Sequence, residues 1–141
     1  MAVIRFSFTS SLTPAQALEV LTDFTDKRPE AWPTIDDEHF TVHRLGDRWA
    51  EVTEGTDAAW ERARYDWNDT NVTVTTLDSK LFGAGGGWTF DLTPDARGSR
   101  IDVTLTRTPT AFKGKVLAFL LSLVGPSSLR KSFAGPLKAV A

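Results

Sequence analysis

The sequence predicts an α+β domain in which a strand and two short helices lead into a curved, seven-stranded antiparallel sheet wrapped around a long C-terminal helix. Three observations predict it. A Thr-Pro-Ala-Gln capping signal follows the first alternating segment, a series of tight-turn signals separates the later ones, and the densest apolar run, Val116 to Val124, comes near the end. At 141 residues the chain reads as one domain over 1–141, large enough to bury its own core without metal or disulfide support.

The first residues alternate, so Ile4, Phe6 and Phe8 share one face of a strand, unlike the continuous apolar block of a secretory signal. In Thr13-Pro14-Ala15-Gln16 the Thr13 hydroxyl is placed to accept from the Gln16 amide while the Gln16 side chain reaches back. Pro14 fills the first helical position, where its missing N–H costs nothing. Ala17, Leu18, Leu21 and Phe24 then form an apolar stripe at helical spacing. Pro29 and Pro33 confine a second helix to a short piece around Arg28 to Ile35, anchored by Trp32.

From Phe40 onward, strands alternate with turns. Leu45-Gly46-Asp47-Arg48, Gly55-Thr56-Asp57 and Asn68-Asp69-Thr70-Asn71 mark reversals between Phe40 to Leu45, Trp49 to Glu54, Trp60 to Trp67 and Val72 to Leu77. Trp88 to Leu92 and Ile101 to Leu105 alternate around the turn from Pro94 to Ser99. Hairpin connections imply an antiparallel sheet with one dry and one wet face. Trp49 and Val52 have opposite parity, so a regular strand cannot turn both inward. The closing helix starts near Thr110 to Lys113, and Gly125-Pro126 breaks it, either to hinge a roof over the sheet or to curve the helix.

Composition narrows the function. The absence of Cys excludes thiolate catalysis and cysteine-ligated zinc and fits a reducing, cytoplasmic setting. A net charge of −2 gives no basic face for nucleic acid. Lys113, Lys115, Arg130, Lys131 and Lys138 read as cations near a helix C-terminus and a solvated face. The apolar run is shorter than the roughly 20 residues that cross a bilayer, so no integral membrane span is expected.

This order of elements resembles the helix-grip superfamily of START lipid-transfer domains, polyketide cyclases and the Bet v 1-like pollen allergens, especially its small bacterial polyketide cyclase/dehydrase and lipid-transport (SRPBCC) branch. The resemblance spans essentially the whole chain. It rests on Leu18 to Asp26 running into Glu30-Ala31-Trp32-Pro33, on Ala50 to Gly55, on Trp60-Glu61-Arg62, on Pro94 through Ser99, and on the closing helix with Gly125-Pro126. It implies a cavity between sheet and closing helix that takes a small hydrophobic molecule, with no cofactor. Members range from carriers to enzymes, so the fold leaves the chemistry open.

Trp32, Tyr65, Trp67, Phe82, Trp88, Phe90, Phe112, Phe119, Leu120 and Leu123 are the candidate ligand-binding residues, although large aromatics fill cores as readily as they line pockets. The run Gly83 to Gly87 lacks the helix start and Gly-Lys-Ser/Thr of a phosphate loop, and Trp88 opens a strand after it. It reads either as a flexible rim gated by Leu81 and Phe82 or as a bulge needing positive φ. His39 and His43 sit four apart where a strand begins, a separation of roughly 13 Å that no single zinc ion bridges. Metal binding is not expected.

His43 and Tyr65 are the first suspects for proton transfer, if a reaction occurs. The charges at Glu51, Glu54, Glu61, Arg62, Arg64, Asp66, Asp91, Asp102 and Arg107 either pair across the wet face or include one that turns inward, where an arginine needs an acidic partner or an anionic ligand. Three functions follow: a hydrophobic-ligand carrier first, a cyclase/dehydratase-type enzyme second, and a protein-interaction or regulatory module third. No oligomeric state is legible.

Overall fold

The computed structural model describes residues 2–80, 82–109 and 131–140. The body of the expected closing helix, with Phe112, Phe119, Leu120, Leu123 and the break at Gly125-Pro126, lies outside them, as do Leu81, Lys113, Lys115 and Arg130. The described elements are β1 (Ala2–Ser10), α1 (Pro14–Leu21), α2 (Lys27–Ala31), a 3-10 turn (Asp37–His39), β2 (Phe40–Leu45), β3 (Trp49–Gly55), β4 (Trp60–Trp67), β5 (Asn71–Ser79), β6 (Phe82–Asp95) and β7 (Gly98–Pro109).

The seven strands form one sheet in the order β1-β7-β6-β5-β4-β3-β2, with every neighbouring pair antiparallel. Chain neighbours are sheet neighbours throughout, except that β1 closes against β7 and so seats both helices between β1 and β2. Period-two alternation supplies the inner face. Ile4, Phe6 and Phe8 of β1 meet Ile101, Val103 and Leu105 of β7, and Phe90, Leu92, Val72, Val74, Ala63, Ala50 and Val52 continue one buried cluster. Burying each large aliphatic side chain stabilises by about 1.5–3 kcal/mol. Ala17, Leu21 and Phe24 cover that face from the first helix and its exit, and Phe133 and Leu137 cover it from residues 131–140.

Helix α1 begins as expected. The Gln16 amide donates to Thr13 Oγ1 at 3.2 Å, the Thr13 amide donates to Gln16 Oε1 at 3.0 Å, and Pro14 is in the first turn. Helix α2 differs from its expected span: it runs Lys27–Ala31 and stops before Trp32. Trp32 precedes Pro33 and is extended at φ −107°, ψ 114°, which ends the helix there.

Strand register settles points that the sequence left open. In β3 the inner residues are Ala50, Val52 and Glu54, and Trp49 faces outward with its ring 4.6 Å from the Arg64 guanidinium carbon. The β3–β4 register is unbroken, so parity alone excludes Trp49 from the inside. The bulge lies instead in β2, where His43 is the extra residue between the pairs Val42–Val52 and Arg44–Glu51. Four-residue spacing on one strand would put both histidines on the same face, but His39 closes the 3-10 turn before β2, so the two do not share a strand face.

The glycine run is strand and bulge. Register slips between Gly83 and Gly87 against β7, and Gly85 takes a φ of +99°. A Cβ on Gly87 would stand 1.7 Å from the Val74 carbonyl oxygen, so close backbone approach demands glycine there.

Candidate functional site

The inner face is apolar toward one end and charged toward the other. On β7 the inward series Ile101, Val103, Leu105 continues to Arg107, and on β3 the series Ala50, Val52 continues to Glu54. On β4 the inward residues are Glu61, Ala63 and Tyr65. Antiparallel register brings the charged ends together around a cavity of about 200 Å³. Its wall includes Trp32, Trp60, Phe82, Trp88 and Phe90, with Phe133 set edge-on to Trp32, Trp88 and Phe90 at centroid distances of 5.7, 5.5 and 5.6 Å.

Two polar clusters stand in this aromatic wall. In the first, Arg28 of α2 is only 4% exposed and reaches across to the sheet. Its Nε donates to Glu54 Oε2 at 2.7 Å, Nη1 donates to the carbonyls of Leu21 and Asp23 at 3.1 and 3.2 Å, and Nη2 donates to the Tyr65 hydroxyl at 3.0 Å. Tyr65 in turn donates its proton to Glu54 Oε1. The guanidinium carbon lies 4.7 Å from the Phe24 ring centroid, so the cation is held by an aromatic face as well as by its acceptors.

Burial works against the Arg28 charge, but the neighbouring Glu54 and Tyr65 outweigh it and hold the guanidinium above its ordinary pKa. Burial, then the Glu54 charge, pushes the Tyr65 phenol well above its usual value of 10.0. Tyr65 is therefore a neutral hydrogen-bond donor at physiological pH.

The second cluster is built on β4, β5, β6 and β7. Arg107 Nη1 donates to Glu61 Oε2 at 3.0 Å and to Thr76 Oγ1 at 3.1 Å, and Thr76 donates to the same carboxylate oxygen at 2.8 Å. Trp88 Nε1 donates to Glu61 Oε1 at 3.4 Å. The guanidinium carbon sits 5.1 Å from the Phe82 centroid and 5.4 Å from that of Trp88. Thr76 is 1% exposed, so its hydroxyl depends on this network.

Of the expected ligand-binding residues, Trp32, Tyr65, Phe82, Trp88 and Phe90 all line the cavity. Trp67 does not: it lies one pleat beyond Tyr65 and packs on Phe24 with centroids 6.0 Å apart. His43 is exposed at the β2 bulge, on the outer face, its Nε2 2.7 Å from Thr53 Oγ1, away from the cavity. Phe112, Phe119, Leu120 and Leu123 are outside the described residues.

Arg28, Trp60 and Phe133 also line the cavity and are not among the expected ligand-binding residues, although Trp60 belongs to the same aromatic-rich set as Trp32 and Trp88. A signal for Arg28 was present, because it stands four residues before Trp32 and helical spacing turns both to one side. Among the described residues no imidazole lines the cavity and no group of side chains could hold a metal ion. None of the described helices is long and apolar enough to cross a membrane.

No protein-family model matches this sequence, and no curated protein does. Solved structures match its fold. A Thermus thermophilus protein superposes with a TM-score of 0.76 at 13% identity, covering 96% of this chain and 94% of that one. A START superfamily protein from Mycobacterium smegmatis gives 0.74 at 10% identity over 98% of both chains. The ZhuI aromatase/cyclase of a Streptomyces species gives 0.71 at 16% identity, covering 95% of this chain and 90% of that one. The chain has the helix-grip fold. At these identities the likeness carries the architecture and leaves activity to the site itself.

Proposed function

We propose that this protein binds a small hydrophobic molecule, lipid or polyketide-like, in the cavity on the inner face of its sheet. One observation carries the reading: the aromatic residues at the charged end of the sheet line a cavity of about 200 Å³. Concave, mostly apolar sites with a few convergent polar groups are the usual form of small-molecule sites. Trp32, Tyr65, Phe82, Trp88 and Phe90 contact the guest in this reading, and the Arg28 and Arg107 clusters orient its polar atoms. Native mass spectrometry of protein purified from its own host tests it. A co-purifying small molecule is expected, and its loss on Phe90→Ala or on filling the cavity with Val74→Trp supports the site. Protein that arrives empty, with no thermal shift on exposure to apolar probes, overturns it.

A second reading, a cyclase/dehydratase-type enzyme, is favoured by a different observation: Tyr65, Glu54 and Glu61 place titratable groups on the wall. Tyr65 is the proton donor in that reading, and the cavity supplies the shape that folds a reactive chain. Product formation from a poly-β-keto substrate, abolished by Tyr65→Phe in a folded variant, is its test; turnover unchanged by that variant removes it.

A further inference from the structure

Among the described residues, the cavity wall carries four formal charges, those of Arg28, Arg107, Glu54 and Glu61. They cancel within two closed pairs: Arg28 with Glu54 at 2.7 Å, side chains 3% and 10% exposed, and Arg107 with Glu61 at 3.0 Å, side chains 12% and 15% exposed. Among these described residues an entering carboxylate would meet no uncommitted cation. It would have to pull a guanidinium from its glutamate, leaving that glutamate buried and unpaired, or lie beside two carboxylates already present.

A neutral oxygen acceptor meets no such penalty. Arg28 has five N–H groups, and its bonds to Glu54, Leu21, Asp23 and Tyr65 use four of them, so a neutral acceptor bound at the fifth would leave the pair intact. The cavity, about 200 Å³, equals about seven waters of liquid volume. That suits one or two fused rings, and the wall offers ring faces and edges to stack on them.

Given that the cavity binds a guest at all, as proposed above, we infer that it selects neutral one- or two-ring aromatic molecules carrying a carbonyl or hydroxyl group and rejects carboxylates, fatty acids included. The selection resides in the two internal ion pairs, which leave the described part of the wall without net charge.

Two isosteric probes test this on the intact protein: 2-naphthamide and 2-naphthoate have the same ring system and nearly the same shape and differ in charge. Titration calorimetry, with quenching of Trp32, Trp60 and Trp88 as a second readout, should show the amide binding about tenfold or more tightly. Glu61→Gln keeps the acceptor for Thr76 and Trp88 but removes one carboxylate, and it should narrow the ratio of naphthamide to naphthoate affinity several-fold. Naphthoate binding as tightly as naphthamide to the unaltered protein overturns charge selection and leaves the cavity's role as a binding site intact. An amide preference that Glu61→Gln and Glu54→Gln both fail to narrow overturns the assignment to the ion pairs. Binding of neither probe, at any accessible concentration, overturns this inference together with the binding reading. Should a variant fail to fold, the comparison on the unaltered protein still decides.

Discussion

Both faces of the sheet carry arginine–carboxylate pairs, and the two sets differ in surroundings more than in geometry. On the inner face, Arg28 and Glu54 meet at 2.7 Å with side chains 3% and 10% exposed. On the outer face, Arg62 and Glu51 meet at 3.1 Å with side chains 44% and 17% exposed. Water and salt screen the outer pair, so little is lost when it opens. The inner pair has no solvent to fall back on, and each partner is required because the other is there. Contact distance alone therefore says little about an ion pair; its burial and its remaining hydrogen bonds decide what it contributes.

The sharpest way to break this contrast is Arg28→Met. It leaves Glu54 buried without its cation and Tyr65 without a donor, and about 3–5 kcal/mol of unfolding free energy should be lost in urea denaturation. The double variant Arg28→Met/Glu54→Leu should recover much of that loss. A single-variant cost under about 1 kcal/mol would make the inner pair no different from the outer one.

Alkaline pH probes the same cluster without mutation. The folded-state pKa of Tyr65 is raised above the unfolded value of 10.0, so its contribution to stability is fully present below pH 10 and is lost as pH rises from there toward the folded value. Tyr65 is the only tyrosine, so phenolate absorbance reports on it alone. Ionisation should coincide with alkaline unfolding, and a free titration near the ordinary value in folded protein would contradict its burial.

Arg107→Met should cost less than Arg28→Met, about 1–3 kcal/mol, because Glu61 keeps donors from Thr76 and Trp88 and is partly reached by water. Arg62→Ala is the smallest change. A shift within about 0.5 kcal/mol is expected by the same denaturation assay, and a larger loss would show that the outer network acts cooperatively.

Much of this fold was legible in the sequence because the deciding signals are local. The capping box at Thr13 and Gln16, the turns at Gly46, Gly55 and Gly98, and the alternation from Ile101 to Leu105 each act within a few residues. The pocket was legible in part. Aromatic content pointed to Trp32, Tyr65, Phe82, Trp88 and Phe90, yet the same criterion included Trp67, which lies one pleat too far along β4. His43 is a candidate only as an imidazole near a strand, and alternation from Val42, which pairs with the inward Val52, puts it on the outer face beside Thr53. Arg28 escaped notice because a charged residue on a short, proline-bounded helix reads as solvated until its partners are known.

Those partners mark the limit of local reading. Alternation places Glu54 with Ala50 and Val52, Glu61 with Ala63 and Tyr65, and Arg107 with Leu105, so the residues sharing each strand face follow from the chain alone. What lies across from them does not. Arg28 stands 26 residues from Glu54 and 37 from Tyr65, and their meeting depends on where Pro33 ends α2, on the β3–β4 register and on how that helix lies against the sheet. Two neutral pairs and an open cavity exist only once those long-range placements are made together, because Coulomb energy and packing depend on distances between elements that no short stretch of sequence contains.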